Sequence, residues 1–397
     1  MRRSSLTHLR RGLTATLALA LVAATGPGGT SASAAPAVAP AAARASTTGF
    51  LTTRAFFNDP RATGDASNVP RNLIGHHFDL APKGSTVRVT MWNITDDAIV
   101  ATMTAAIRRG VHVQVVMASS NCDQTAAVAL REVTAAYKGS FVTCAKGSAR
   151  SAGGVMHQKS YTFSKVGSVA NVTVVGSANA TTEAYADQWV DLFQYVNRAD
   201  VYRAYNAVFA LQAKDKDLAK PYRSYSFNDG LGGAQFYPIN TARPTAADDP
   251  AHHRISTIPK GKGTVIKVAT YAMHGKRANW LAADLIAQRK AGSSVSVLTG
   301  PPADDKLEAT FRAHHIPVTR AFDPGCREVE NDPCNYIHLK LMTATFVRDG
   351  KRQYRVWTGT DNFTDDALNS DEVVQKIGSK AAYDQYVGYL ATIAATY

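Results

Sequence analysis

The chain has 397 residues, 45% of them hydrophobic and 19% charged, and a formal net charge of +13. After the first few dozen residues no run approaches the ~18 apolar residues of a membrane span, which excludes a helical integral membrane protein. A basic balance favours anionic partners such as phosphate, nucleic acid or an anionic membrane surface, although solubility alone also accounts for it.

The N-terminus reads as an export leader. "MRRSSLTHLRR" is basic, "GLTATLALALVAA" is apolar but short, and "SASAAPA" supplies small residues for cleavage after Ala34. Arg10-Arg11 makes only a weak match to a twin-arginine signal. The leader, residues 1–34, holds four Arg and no acid, so a mature chain carries +9. Residues 35–50 are rich in Ala and Pro and are expected to be a disordered linker. The remainder suffices for two ordinary domains or one large one.

That remainder repeats itself. Residues 80–117 and 257–299 both begin Pro-Lys-Gly and continue as an alternating strand, "TVRVTMW" or "TVIKVATY". Each then has a helical stretch ending in a basic pair and Gly, and a second strand, "VHVQVVM" or "SVSVL". Upstream, "AFFNDP" resembles "AQFYP". Pro82 and Pro259 are 177 residues apart, and His157 and His338 are 181 apart, an offset that signals duplication. The expected fold is α/β: two halves, each with a mixed or mostly parallel sheet flanked by helices. The turn-rich stretch 220–236 divides them into residues 51–225 and 226–397.

Each half carries two cysteines, Cys122 and Cys144, then Cys326 and Cys334. An even count in an exported chain points to disulfides, and the two short-range pairs keep each bridge within one half. The spacings do not suit paired zinc knuckles.

His-x-Lys occurs three times, at His157-Gln158-Lys159, His338-Leu339-Lys340 and His274-Gly275-Lys276. Only the first two are followed by Gly-[Ser/Thr]-x-Asn, at Gly176–Asn179 and Gly359–Asn362. The third falls where a helix should begin and reads as a solvated loop. In a strand, residues i and i+2 share a face, so His157 projects with Lys159 and His338 with Lys340. The next strand of each hairpin delivers Ser177 and Asn179, or Thr360 and Asn362, beside them. Two Lys and two Asn amides form a phosphodiester cradle with no metal or other cofactor. One neutral His can attack phosphorus while the other, protonated, protonates the leaving oxygen. Any one of these residues alone could be an ordinary strand residue; two matched sets at one offset are harder to dismiss.

The paired motifs resemble those of the phospholipase D superfamily, H-x-K-x4-D followed by G-[GS]-x-N, and the resemblance spans nearly all of the chain after the linker. It implies two α/β/α-layered halves with the site between them, and a two-step reaction through a phosphohistidine. His157 would be the nucleophile and His338 the general acid. The sequence departs from the pattern at the seventh residue after each His, where Ser164 and Thr345 replace Asp. Seven is odd, so that side chain points away from the His face, as a structural hydrogen-bonder would. Family members often place an acid beyond the Asn to orient a histidine; Asp187 and Asp371 are the candidates, with Asp191 and Glu372 as near alternatives.

The favoured activity is that of an exported phospholipase D, a phosphoric diester hydrolase that cleaves or transfers phospholipid head groups at a membrane surface. The alternatives are a nuclease or other non-lipid phosphodiesterase, and a binding protein that kept the cradle. A monomer is expected. Trp92, Tyr271, Met273 and Trp280 are candidates for the rim of the site or for ordinary core. The pairs His76-His77, His252-His253 and His314-His315 lack metal-ligand spacing.

Overall fold

A computed structural model describes residues 50–302, 304–326 and 334–397. The expected leader and nearly all of the linker lie outside the described residues. Phe50, the linker's last residue, is packed: its ring centroid is 4.9 Å from that of His76, and its carbonyl accepts from Gln194 Nε2 at 2.6 Å.

The first half runs β1 (Arg54–Phe57), α1 (Val69–Leu80), β2 (Thr86–Met91), α2 (Asp97–Arg108), β3 (His112–Ala118), α3 (Thr125–Ala136) and β4 (Phe141–Ala145). It continues with β5 (Ser160–Val166), β6 (Val169–Gly176), α4 (Thr182–Ala186), β7 (Gln188–Trp189), β8 (Asp191–Tyr195) and α5 (Ala199–Gln212). The second half runs β9 (Arg223–Ser226), β10 (Gly233–Phe236), α6 (Pro250–Ser256), β11 (Val265–Thr270), α7 (Gly275–Lys290), β12 (Ser294–Thr299) and α8 (Asp305–Ala313). It ends with β13 (Val318–Arg320), β14 (Tyr336–Ile337), β15 (Lys340–Arg348), β16 (Lys351–Gly359), β17 (Val373–Ile377) and α9 (Lys380–Thr396). Residue 225, the expected boundary, falls within β9.

The alternation read in the sequence becomes burial. β2 and β11 share one pattern, half-buried and buried residues alternating before three buried ones, because their C-terminal ends enter the core. Side-chain caps start the helices: Asp96 accepts from Ile99 N at 2.9 Å, and Asp304 from Lys306 N at 2.8 Å.

The duplication is visible in strand order. One sheet is β1-β8-β6-β5-β2-β3-β4 and the other β9-β10-β17-β16-β15-β11-β12-β13. The second repeats the first and adds β9 at its edge. Both are mixed: β2-β3-β4 and β11-β12-β13 pair in parallel, and the remaining neighbours are antiparallel. Helices α1–α3 pack on the first sheet around Leu73, Met103, Ile107 and Leu130. Helices α6–α8 cover the second around Ile255, Leu281, Leu285 and Phe311. A third core, shared by both halves, sits between the sheets with α5 and α9 and includes Phe193, Tyr205, Val356 and Tyr386. The layering is therefore helix, sheet, helix, sheet, helix.

Polar bridges cross the shared layer. Asp191, fully buried, accepts from Thr358 Oγ1 at 2.6 Å and Tyr386 Oη at 2.8 Å. Arg150 donates to Asp371 at 2.7 Å with both side chains buried. Such groups are satisfied only when the halves are mated, so they fix the mating geometry more surely than they stabilise it. Disulfides join Cys122 to Cys144 and Cys326 to Cys334, the two short-range pairs expected from the sequence. They are consistent with an extracellular setting. Among the described residues no helix is long and apolar enough to cross a membrane.

Candidate active site

The site lies where the two sheets are stitched together. β7 pairs in parallel with β14, and a bridge joins Met156 to Asp371. These contacts are related by the duplication: His157 N donates to Asp371 O and His338 N to Trp189 O, each at 3.0 Å. The two histidines thus precede β5 and β15, each held by main-chain bonds to the opposite half.

The glycine of each second motif is required by close approach. A Cβ on Gly176 would lie 2.0 Å from Asp191 O, and one on Gly359 would lie 2.0 Å from Val373 O. The following hydroxyl residue then locks the crossing. Ser177 N donates to Asp191 O at 3.0 Å, and Asp191 N donates back to Ser177 Oγ at 3.0 Å. Thr360 and Val373 repeat the exchange at 2.9 and 3.0 Å. These turns carry Asn179 and Asn362 into the site, and both side-chain oxygens are buried without a partner among the described residues. An amide oxygen accepts, so it is the NH2 group of each asparagine that can donate to a phosphoryl oxygen.

The lysines are buried too, Lys159 at 1% and Lys340 at 5% exposure. Each Nζ donates to the carbonyl of its own histidine, at 2.6 Å to His157 O and 2.8 Å to His338 O. Matching aromatics wall the site. Trp92, just after β2, packs its ring 5.8 Å from His157 and 5.9 Å from Lys159 Nζ. Tyr271, just after β11, lies 4.8 Å from His338 and 4.9 Å from Lys340 Nζ. The other two rim candidates are structural: Met273 is core, and Trp280 donates to Asp249 at 2.9 Å.

The duplication is broken behind the histidines. His157 Nδ1 is 2.7 Å from Glu372 Oε1. His338 Nδ1 lies 3.0 Å from Ser177 O, and because a carbonyl only accepts, that nitrogen carries a proton. Strand register makes Val190 the counterpart of Glu372, since Asp191 and Val373 occupy equivalent ladder positions. His157 therefore has the Glu372 carboxyl group in addition to the Thr360 backbone, whereas His338 has the Ser177 carbonyl without a carboxyl group among the described residues.

This corrects the sequence-based choice of acids. Asp371 turns away from the histidines and accepts from Arg150, Ser148 Oγ, Ala149 N and Gln212 Nε2, all at 2.7–2.9 Å. Asp187 caps the end of α4, where its carbonyl takes Tyr336 N at 3.2 Å. Glu372, named only as an alternative, is the residue in contact. Ser164 and Thr345 face away from the site as their odd spacing implies: Ser164 Oγ accepts from Thr86 N at 2.8 Å at the foot of β2, while Thr345 Oγ1 has no partner among the described residues. The third His-x-Lys is exposed, with His274 at the N-cap of α7.

Burial, then Lys159 and Lys340, holds the His157 pKa well below its usual value. His338 is pushed down likewise by burial, Lys340, Lys159 and His157. Burial lowers Lys159 to about 7 against the upward pull of Glu372, and raises Glu372 to about 8 against the downward pull of Lys159. Lys340 is held well below its usual value by burial and then by Lys159. The cradle concentrates cationic groups that low dielectric disfavours, and a bound anion restores their charge.

The geometry brings two matched His-Lys-Asn sets, one from each of two duplicated α/β halves, to a single site. Residues 79–211 match the family described as "Cardiolipin synthase, PLD-like domain". The fold is similar to that of phosphatidylserine synthase from Haemophilus influenzae Rd KW20, with a TM-score of 0.57 and 12% identity over 87% of this chain and 89% of that one. It is also similar to polyphosphate kinase from Porphyromonas gingivalis, with a TM-score of 0.52 and 13% identity over 86% of this chain, which spans 50% of the kinase. Nuc from Salmonella typhimurium, a phospholipase D family member, aligns with 40% of this chain and 91% of its own at 17% identity and a TM-score of 0.32. No curated protein sequence matches the chain. Residues 79–211 of the first half are thus similar to a PLD-like domain, and the fold of the whole chain is similar to that of the two structures aligned over 86–87% of it.

Proposed function

We propose that the chain is an exported phospholipase D that hydrolyses or transfers phospholipid head groups through a phosphohistidine. The observation that carries this reading is the meeting of His157, Lys159 and Asn179 with His338, Lys340 and Asn362, with Glu372 behind His157 alone.

In the first step His157 Nε2 forms a bond to phosphorus as the bond to the head-group oxygen breaks. That oxygen takes the proton of His338 Nε2. The lysines and asparagine amides stabilise the charge gathering on the non-bridging oxygens. In the second step His338 accepts a proton from water or an alcohol, whose oxygen attacks phosphorus and releases His157. As His157 attacks it becomes cationic, which is when a carboxyl group at Nδ1 stabilises it most. His338 needs only the reverse, readiness to lose its proton, and has no carboxyl group behind it. The anionic diester supplies the negative charge that raises the His338 pKa and readies it as an acid.

The lipid reading has local support in Val155, which is 41% exposed next to the Met156–Asp371 bridge, and in the half-buried Trp92 and Tyr271 that line the approach. The net charge of +13 favours nucleic acid as the second reading. Incubating the protein with phosphatidylcholine vesicles and, separately, with plasmid DNA distinguishes them. Choline release without nicking is expected; nicking without choline release would transfer the site to the nuclease reading.

A further inference from the structure

The second sheet carries a cationic groove that the cradle does not explain. It lies between α6 and the outer ends of β15, β16 and β17, holds about 310 Å³ and contains Arg254, Arg348, Arg355 and Lys376 over Trp357. No Asp or Glu lines it, and none of these four cations forms a salt bridge among the described residues. From Lys340, six residues along β15 reach Phe346 at its wall, roughly 20 Å at the rise of a strand. The groove and the cradle are thus at opposite ends of the same strands.

Arg254 is the telling residue. It is 9% exposed, yet its Nε is buried with no hydrogen-bond partner among the described residues, while its guanidinium donates to Gln235 Oε1 at 3.2 Å and lies 6.0 Å from the Trp357 ring. Among the described residues, the other two arginines buried this deeply are neutralised, Arg150 by Asp371 and Arg277 by Asp249 and Asp361. Arg348 donates to Thr257 O at 2.7 Å and Arg355 to Tyr354 O at 2.8 Å, which orients both without neutralising either. The crowding is felt: burial and then Arg348 lower the Arg355 pKa, and burial and then Arg355 lower that of Lys376, with Asp229 opposing. Burying cations without counterions is costly unless a ligand brings the negative charge.

We infer that this groove binds a multiply charged phosphoryl group, a phosphate monoester or a pyrophosphate, at a site separate from the catalytic cradle. Guanidinium forks match phosphoryl oxygens in pairs, and four cations with no acid suit a dianion better than a singly charged diester. The group arrives either on a soluble ester or as the head group of a phosphomonoester lipid.

The test is calorimetric titration with inorganic pyrophosphate. Arg355→Gln with Lys376→Gln, both half-buried, should weaken binding by at least about tenfold, as expected for two lost charged contacts, and leave hydrolysis of a soluble nitrophenyl diester unchanged. Arg254→Gln should weaken it likewise if the variant folds. Lys340→Met, which damages the cradle, should leave this binding intact. Sedimentation with phosphatidylcholine vesicles containing phosphatidic acid separates the sources. Binding displaced by pyrophosphate identifies a lipid head group, and pyrophosphate binding without vesicle binding identifies a soluble ester. Unchanged pyrophosphate affinity in Arg355→Gln/Lys376→Gln, its loss in Lys340→Met, or binding of a single-stranded oligonucleotide at these residues in place of pyrophosphate would overturn the inference.

Discussion

Replacing Glu372 by Gln keeps the shape of the group behind His157 and removes its capacity for charge. The contact is 2.7 Å from Nδ1 and almost fully buried, with the Glu372 side chain 2% exposed and that of His157 15% exposed. A hydrogen bond to a charged partner contributes about 1.5–3 kcal/mol, against about 1 for a neutral one. Gln keeps the neutral bond, so the loss is about 0.5–2 kcal/mol, which at 1.36 kcal/mol per decade slows formation of the phosphohistidine by roughly 2- to 30-fold. A soluble nitrophenyl diester isolates that step, because its leaving group needs little help from His338 and the nitrophenol burst reports it directly. The rate should fall in the burst, with KM little changed, and thermal stability should hold because the substitution removes a carboxyl group that burial already pushes up to about 8. Glu372→Ala should lose at least as much. A burst unaltered by Glu372→Gln, or a loss confined to the second step, would refute the argument that Glu372 serves His157 during attack.

Lys159 is cationic below its pKa of about 7 in the free site, so kcat/KM should fall as pH rises through about 7, while kcat, which reports the diester-bound site, should hold to higher pH. On the acid side, His157 is held well below its usual pKa by burial and the lysines, so the neutral nucleophile and the rate should persist below pH 6.5, as a pH series with constant ionic strength will show. Gly359→Ala forces a Cβ to within 2.0 Å of Val373 O and should cost a few kcal/mol, read as a fall in Tm and loss of the folded site together. Reducing Cys122–Cys144, which are separated by 22 residues, should remove about 3 kcal/mol and lower Tm by several degrees, while activity survives below the new transition.

Most of this architecture was legible in the sequence because duplication leaves a ruler. Nearly equal spacings of 177 residues between Pro82 and Pro259 and 181 between His157 and His338 implied equivalent strands, and the two sheets repeat one order. The meeting of the histidines, lysines and asparagines followed from period-two alternation and hairpin return. The acid did not. Asp371 and Glu372 are adjacent and point to opposite sides of the chain, and the bridge from Met156 to Asp371 decides which one faces His157. That register belongs to pairing between halves, to which no local pattern gives access. Trp92 and Tyr271 could not be separated from Met273 and Trp280 for the same reason: a short loop after each strand turns one aromatic toward the site and the next residues into the core. The break in symmetry at Val190 and Glu372 has a sequence signal, but only once the two segments are aligned through Asp191 and Val373.

The central claim is that two similar histidines divide the work, and trapping the covalent intermediate tests it most directly. The protein is mixed with a phosphorus-labelled diester, quenched in base to preserve phosphohistidine, and mapped by peptide. Label on His157, with His338→Ala still labelled by the nitrophenyl substrate and His157→Ala unlabelled, is the predicted result. Label on His338 with none on His157 would reverse the assignment and leave Glu372 behind the wrong partner.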